Sequence, residues 1–153
     1  MPTRQALAGI LFAPSVALAL GVWAEFGDLN PPVLFAVALP AITVSTLSLA
    51  YLARQFPWPL ALVLAGVVVG TITFGLTEGT YLAIHLSRGG TLNFEAYDSQ
   101  PAMALALLGI HVAVGSMVGL GVGAGLALLW FASRLFGPFD RRRVIARTVR
   151  PPS

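Results

Sequence analysis

The 153-residue sequence contains no cysteine and no lysine, and only two of its residues are histidines. The absence of cysteine excludes disulfide bonds, thiolate metal sites, thiol catalysis and c-type haem attachment. The sequence also lacks the HExxH, GxSxG and Walker A motifs, which are signatures of zinc proteases, α/β-hydrolases and P-loop proteins. Charge is scarce too, because 10% of the residues are charged, against about a quarter in soluble domains.

The remaining polar residues form no recognisable catalytic set. Ser116 follows His111 by five residues, a spacing that does not bring the two side chains together well on a helix. Glu78 is the one carboxylate inside an apolar segment, which excludes a mechanism based on paired aspartates. We therefore expect a protein without enzymatic activity of its own, and the sequence requires no cofactor.

Long apolar segments make up most of the sequence. Hydrophobic residues make up 57% of the chain, more than a soluble globule of this size can bury, so lipid must cover part of them. Four segments reach the roughly 20 residues that a helix needs to cross a bilayer. They are 6–24, 33–53, 58–86 and 101–136. We predict an all-α membrane protein, with residues 1–153 forming a single antiparallel, up-down four-helix bundle.

The third and fourth helices are unusually long. At a rise of 1.5 Å per residue they would extend over roughly 40 to 50 Å, well beyond the hydrocarbon core. Such helices either tilt strongly or protrude from the outer face of the membrane. The first segment resembles a secretory signal peptide, with Arg4 before the apolar run and residues 22–24 as a cleavage site, but we interpret it as a retained spanning helix.

The arginines are distributed asymmetrically. Along a four-helix path, Arg88 falls on one side and the other eight of the nine basic residues fall on the opposite side. The acidic residues Glu25, Asp28, Glu95 and Asp98 lie on the side of Arg88. The positive-inside rule then places both termini in the cytoplasm, as expected for a multi-pass protein of the plasma (inner) membrane.

Most of these arginines belong to a basic tail at residues 137–153. A basic segment directly after a spanning helix is typical of binding to anionic lipid headgroups, so we do not expect nucleic acid as a partner. The residues expected to contact headgroups are Arg141, Arg142, Arg143, Arg147 and Arg150.

Glycines at four-residue spacing mark the faces that should pack between helices. Small residues allow the close backbone contact that holds helices together in lipid. We expect the glycine faces of the third and fourth helices to meet each other, or to dock another membrane subunit or a second copy of the chain. The residues are Gly66, Gly70, Gly75 and Gly79 on the third helix, and Gly115, Gly119 and Gly123 on the fourth.

Two titratable residues should meet near the outer face of the membrane. Glu78 lies 20 residues after Trp58, and His111 lies 19 residues before Trp130. If both tryptophans mark the inner interface, both polar residues lie about 30 Å further out. In an antiparallel hairpin Glu78 and His111 can therefore be in contact.

Two further polar residues share the helix face of Glu78. Tyr81 and His85 follow it at i+3 and i+7. His85 should lie about 10 Å higher than His111, near the loop that carries Arg88, Glu95 and Asp98. This separation disfavours one haem or metal ion held between the two histidines.

Intramembrane ionisable residues are functional candidates by default. One hypothesis is a small non-catalytic subunit or scaffold of a larger respiratory, photosynthetic or transport complex. The alternative is a membrane protein that binds haem, metal or quinone, or conducts protons or cations, through Glu78, Tyr81, His111 and His85. A Glu78–His111 pair enclosed by side chains would favour the scaffold. A metal, haem, quinone or water-filled vestibule around the pair would favour the alternative.

Overall fold

The chain is all-helical in a computed structural model that describes residues 3–27, 30–53, 55–92 and 99–135. The described residues form four helices, each long and apolar enough to cross a membrane. The bounds lie within three residues of those expected, and the basic tail and Phe136 lie outside the described residues. The helices are α1 Thr3–Phe26, α2 Pro31–Leu52, α3 Trp58–Ser87 and α4 Gln100–Leu135.

Local sequence explains where the helices begin and end. Asn30 caps α2, because its side-chain oxygen accepts a hydrogen bond from the Val33 N–H at 3.0 Å, and two prolines follow at the first helical positions. Beyond the end of α3, Gly89 adopts a φ of +78°, a left-handed conformation that favours glycine. The N–H of Gly90 then donates to the carbonyl of His85 at 2.9 Å.

Helix α3 lies at the centre of the arrangement and contacts the three other helices. Its most extensive contact is with α4, whereas α1 and α4 do not contact each other within the described ranges. The largest buried cluster joins α1, α2 and α3, and residues of α4 pack against its edge. It contains Leu20, Ile42, Val69 and Phe74, with Val118 and Val122 of α4 beside them.

A serine of α2 links this helix to α1. The Ser45 hydroxyl donates to the Gly9 carbonyl at 2.6 Å and accepts from the Ala13 N–H at 3.0 Å. Gly9 permits this approach, because a Cβ atom there would overlap the Ser48 hydroxyl. Ser45 is fully buried and joins the α1 backbone directly before Pro14, which has no N–H to donate within the helix.

We expect Ser45→Ala to destabilise the α1–α2 pair. Hydrogen bonds between membrane helices contribute about 0.6 kcal/mol on average and up to about 1.7 kcal/mol. The upper part of this range is expected, because the hydroxyl makes two buried bonds. Thermal unfolding in detergent measures the loss. Thr43→Ala is the control, since the Thr43 hydroxyl donates only to Leu39 of its own helix; an equal loss in the two variants would contradict the interhelical role.

The α3–α4 interface is built on glycine-to-glycine contact. A Cβ atom on Gly66 would collide with the carbonyl of Gly119, and one on Gly70 with the carbonyl of Gly115. A Cβ atom on Gly123 would collide with the carbonyl of Leu62. In these contacts the residue number increases along α3 while it decreases along α4, so the two helices run in opposite directions.

Gly75 and Gly79, which lie nearer the C-terminal end of α3, differ from Gly66 and Gly70 in their contacts with α4. A Cβ atom on Gly75 would lie 3.3 Å from a methyl carbon of Val112, which is close packing against a side chain. A Cβ atom on Gly79 would meet nothing within 4 Å among the described residues, so Gly79 makes no close contact with α4 there, and its predicted packing role stays a prediction. The four-residue spacing identifies a helix face, but it does not show where the partner helix leaves that face.

Candidate functional site

The structure brings Glu78 of α3 and His111 of α4 together. The Glu78 Oε2 atom lies 3.4 Å from the His111 Nε2 atom. Glu78 is buried, with 8% of its surface exposed, and His111 is half-buried. The close glycine contact between α3 and α4 sets the separation of the two side chains.

The hydrogen bond on the other ring nitrogen determines how this pair holds protons. The His111 Nδ1 atom lies 2.9 Å from the Leu107 carbonyl oxygen. A carbonyl oxygen only accepts, so Nδ1 carries a hydrogen and donates it. Nε2 therefore presents a lone pair to Glu78 in the neutral ring and an N–H in the charged ring. An attractive contact requires one proton between the two groups, either on the imidazole or on the carboxyl.

A cavity of about 240 Å³ lies beside the pair. All four helices contribute to its wall, and α4 borders it although α4 and α1 do not contact each other. Its volume is more than ten times the volume that a single water molecule requires. The lining residues are Ala24, Leu34, Phe74, Thr77, Glu78, Tyr81 and His111.

Most of the cavity wall is apolar or has its polar atoms already bonded. The Thr77 hydroxyl donates to backbone carbonyls, at 2.9 Å to Thr73 and 3.3 Å to Ala17. The Phe74 ring packs on the Phe35 ring, with centroids 5.9 Å apart, and the Tyr81 ring stacks on His85 at 5.4 Å. Each aromatic side chain of the wall is thus packed against a second ring, and Glu78 and His111 supply an acid and a base beside the Tyr81 hydroxyl.

A second ionic cluster joins the end of α1 to the end of α3. The Glu25 carboxylate lies 3.0 Å from the His85 Nδ1 atom and 3.3 Å from an Arg88 nitrogen. The Arg88 guanidinium also lies over the Phe26 ring, 4.8 Å from its centroid. The cluster is adjacent to the cavity, because Ala24 and Tyr81 line the cavity and neighbour Glu25 and His85.

Sequence reasoning did not identify Glu25 as a partner of His85. It placed His85 beside Arg88, Glu95 and Asp98, and the last two lie outside the described residues. The sequence does contain information that predicts this contact, because the first and third helices end on the same side of a four-helix path. An acidic residue at the end of the first helix therefore lies at the height of a basic residue at the end of the third.

The two histidines do not converge on one site. His85 contacts Glu25, and His111 contacts Glu78. In the described part of the chain, no group of three or more His, Cys, Asp and Glu residues has the geometry to hold a metal ion. The donor positions therefore do not support a joint haem or metal site on His85 and His111.

Comparison with protein-family models, curated proteins and solved structures gives no match. The Glu78–His111 pair and its cavity are therefore the features that point to a function.

Proposed function

We propose that this chain is a multi-pass protein of the plasma membrane that exchanges a proton for a monovalent cation at the Glu78–His111 pair. Its four long apolar helices support membrane insertion. The arginine distribution supports an up-down bundle with both termini in the cytoplasm and the pair toward the outer face.

The cavity beside the pair is the observation that carries this proposal. A purely structural ion pair is best stabilised when side chains enclose it and satisfy its remaining hydrogen-bonding capacity. Here Glu78 and His111 instead line a space of about 240 Å³ that has room for a ligand. An ionisable pair beside open space, on helices that can span a membrane, is the arrangement expected of an ion pathway or binding site.

The exchange follows from the single proton that the pair holds. In its charged form the pair combines a Glu78 carboxylate with a protonated His111 ring, and its net charge is zero. A cation that binds to the carboxylate favours loss of the Nε2 proton, because two positive charges beside one carboxylate repel each other. One cation enters and one proton leaves, so the net charge of the site stays at zero.

Proton release on cation addition tests the exchange. Purified protein in a weakly buffered detergent solution near neutral pH is titrated with sodium, potassium and benzyltrimethylammonium chlorides, and a pH indicator reports released protons. We expect about one proton per chain at saturation with at least one of these cations, and none from Glu78→Gln or His111→Gln. Thr71→Val is the control, because Thr71 bonds Ser116 outside the cavity. No release with any cation would refute the exchange.

The scaffold hypothesis remains a second candidate, and α4 favours it. Its side facing away from α3 is highly exposed, with Met117 at 72%, and Gly109 and Gly121 have no neighbour within 4 Å among the described residues. Lipid, another membrane subunit or a second copy of the chain can cover this side. Gentle extraction from the native membrane, followed by size analysis, absorption spectroscopy and mass spectrometry, tests it. Co-migration with other proteins would support a subunit, whereas a chain that runs alone would not.

A further inference from the structure

We infer that the exchanged cation is organic, namely a small ammonium compound with an apolar or aromatic body. This inference rests on the proposed exchange and specifies its substrate class. The juxtaposition that supports it is one carboxylate, Glu78, facing a cavity with two aromatic walls, Phe74 and Tyr81.

The cavity offers too few oxygen atoms for a bare metal cation. Hard cations such as calcium and magnesium are held by six or more oxygen ligands, many of them protein carboxylates and carbonyls. Among the described lining residues Glu78 supplies the one carboxylate, Tyr81 supplies a hydroxyl, and the Thr77 hydroxyl is held by bonds to backbone carbonyls. The α3 and α4 residues that line the cavity lie inside their helices, so their carbonyls already accept hydrogen bonds within the helices. A bare ion would lose its water without adequate replacement.

The same wall suits an organic cation. Quaternary and other ammonium groups bind over aromatic faces, because the ring quadrupole attracts positive charge. Such cations are weakly hydrated and need no shell of oxygen ligands, so one carboxylate and two rings are sufficient. Leu34 and Ala24 complete the wall with apolar surface for the body of the ligand.

The volume of the cavity suits a small compound. Sites for drug-sized molecules have volumes of roughly 300–1,000 Å³, and this one is about 240 Å³. Phe35 packs on Phe74 and His85 stacks on Tyr81, so both aromatic side chains are held in place without a ligand.

Calorimetric titration of the full chain in detergent separates the ligand classes. The probes are sodium, tetramethylammonium and benzyltrimethylammonium chlorides, measured in two buffers with different heats of ionisation so that released protons are counted. We expect benzyltrimethylammonium to bind at least tenfold more tightly than sodium, with tetramethylammonium between them. One proton should be released for each organic cation bound.

Variants assign this binding to the cavity. Glu78→Gln should abolish binding, whereas His111→Gln should keep it but release no proton. Phe74→Leu and Tyr81→Leu should each weaken binding by roughly 2- to 30-fold, the range of cation–π contributions. Tyr81→Phe retains the ring and should bind more tightly than Tyr81→Leu, whereas Thr71→Val, outside the cavity, should bind like the unmodified chain.

The outcomes distinguish the organic ligand from the exchange itself. If sodium or potassium binds as tightly as the organic cations and releases the proton, the organic class is wrong and the exchange stands. If benzyltrimethylammonium still binds to Glu78→Gln with the same affinity, its site is elsewhere and the inference is overturned. If no cation binds or releases a proton, the inference and the exchange both fail.

Discussion

Gly119→Ala is expected to separate α3 from α4 and to destabilise the protein by about 3 kcal/mol, the upper end of overpacking costs. The added Cβ atom would overlap the Gly66 carbonyl and would lie 3.1 Å from the Gly70 Cα atom. Both obstacles are backbone atoms of a helix, so no side-chain rotation can relieve the overlap. The helices must move apart and lose dispersion contacts along their shared face.

The chain provides a matched control for this substitution two residues away. A Cβ atom on Gly121 meets nothing within 4 Å among the described residues. Gly121→Ala should therefore be neutral or stabilising, by up to about 1 kcal/mol, because alanine is the better helix former. Thermal unfolding of both variants in the same detergent, followed by circular dichroism, gives the comparison. Similar unfolding temperatures for the two variants would show that close α3–α4 contact does not hold the helices together.

The same substitution links packing to the candidate site. His111 lies on α4 eight residues before Gly119, and Glu78 lies on α3 eight residues after Gly70. Moving the helices apart at the glycine contact should lengthen the 3.4 Å distance between the Glu78 and His111 side chains. Gly119→Ala should therefore also weaken proton release on cation addition, which Gly121→Ala should leave unchanged.

The helix positions and the Glu78–His111 contact could be predicted from the sequence, because both follow from counting residues along helices. Apolar length and the turn residues around Asn30, Pro57 and Gly89 give the helix positions. Counting outward from Trp58 and Trp130 gave equal heights on neighbouring antiparallel helices. Because the rise per residue is the same in both helices, an equal residue count gives an equal height. The two helices are neighbours, so side chains at the same height can contact each other.

Other features depend on how the helices are placed around α3, which no count along one segment provides. The Ser45 link needs the register of α1 on α2, and the Glu25–His85 contact joins residues 60 positions apart. The cavity exists because α4 and α1 do not contact each other beside the Glu78 end of α3. Gly79 has no close neighbour for a related reason, since the path of α4 decides which glycines of α3 it covers.

Removal of His111 alone is expected to cost more stability than removal of both charges of the pair. His111→Ala leaves the Glu78 carboxylate buried without its partner, and breaking a buried ion pair in this way costs about 3–5 kcal/mol. The lower end is expected, because 34% of the His111 side chain and 11% of the Glu78 side chain are exposed. Denaturant or thermal unfolding in detergent, without added cations, measures the loss.

The double variant Glu78→Gln/His111→Ala completes the test, because it removes the charge that the single variant leaves unpaired. It should recover a large part of the loss, so that the two single effects do not add. Additive effects would mean that the 3.4 Å contact carries no coupling. Strong coupling alone is compatible with a scaffold, but coupling that weakens when benzyltrimethylammonium is added is not. A ligand that competes for the Glu78 carboxylate must reduce its interaction with His111, and this loss of coupling is specific to the exchange.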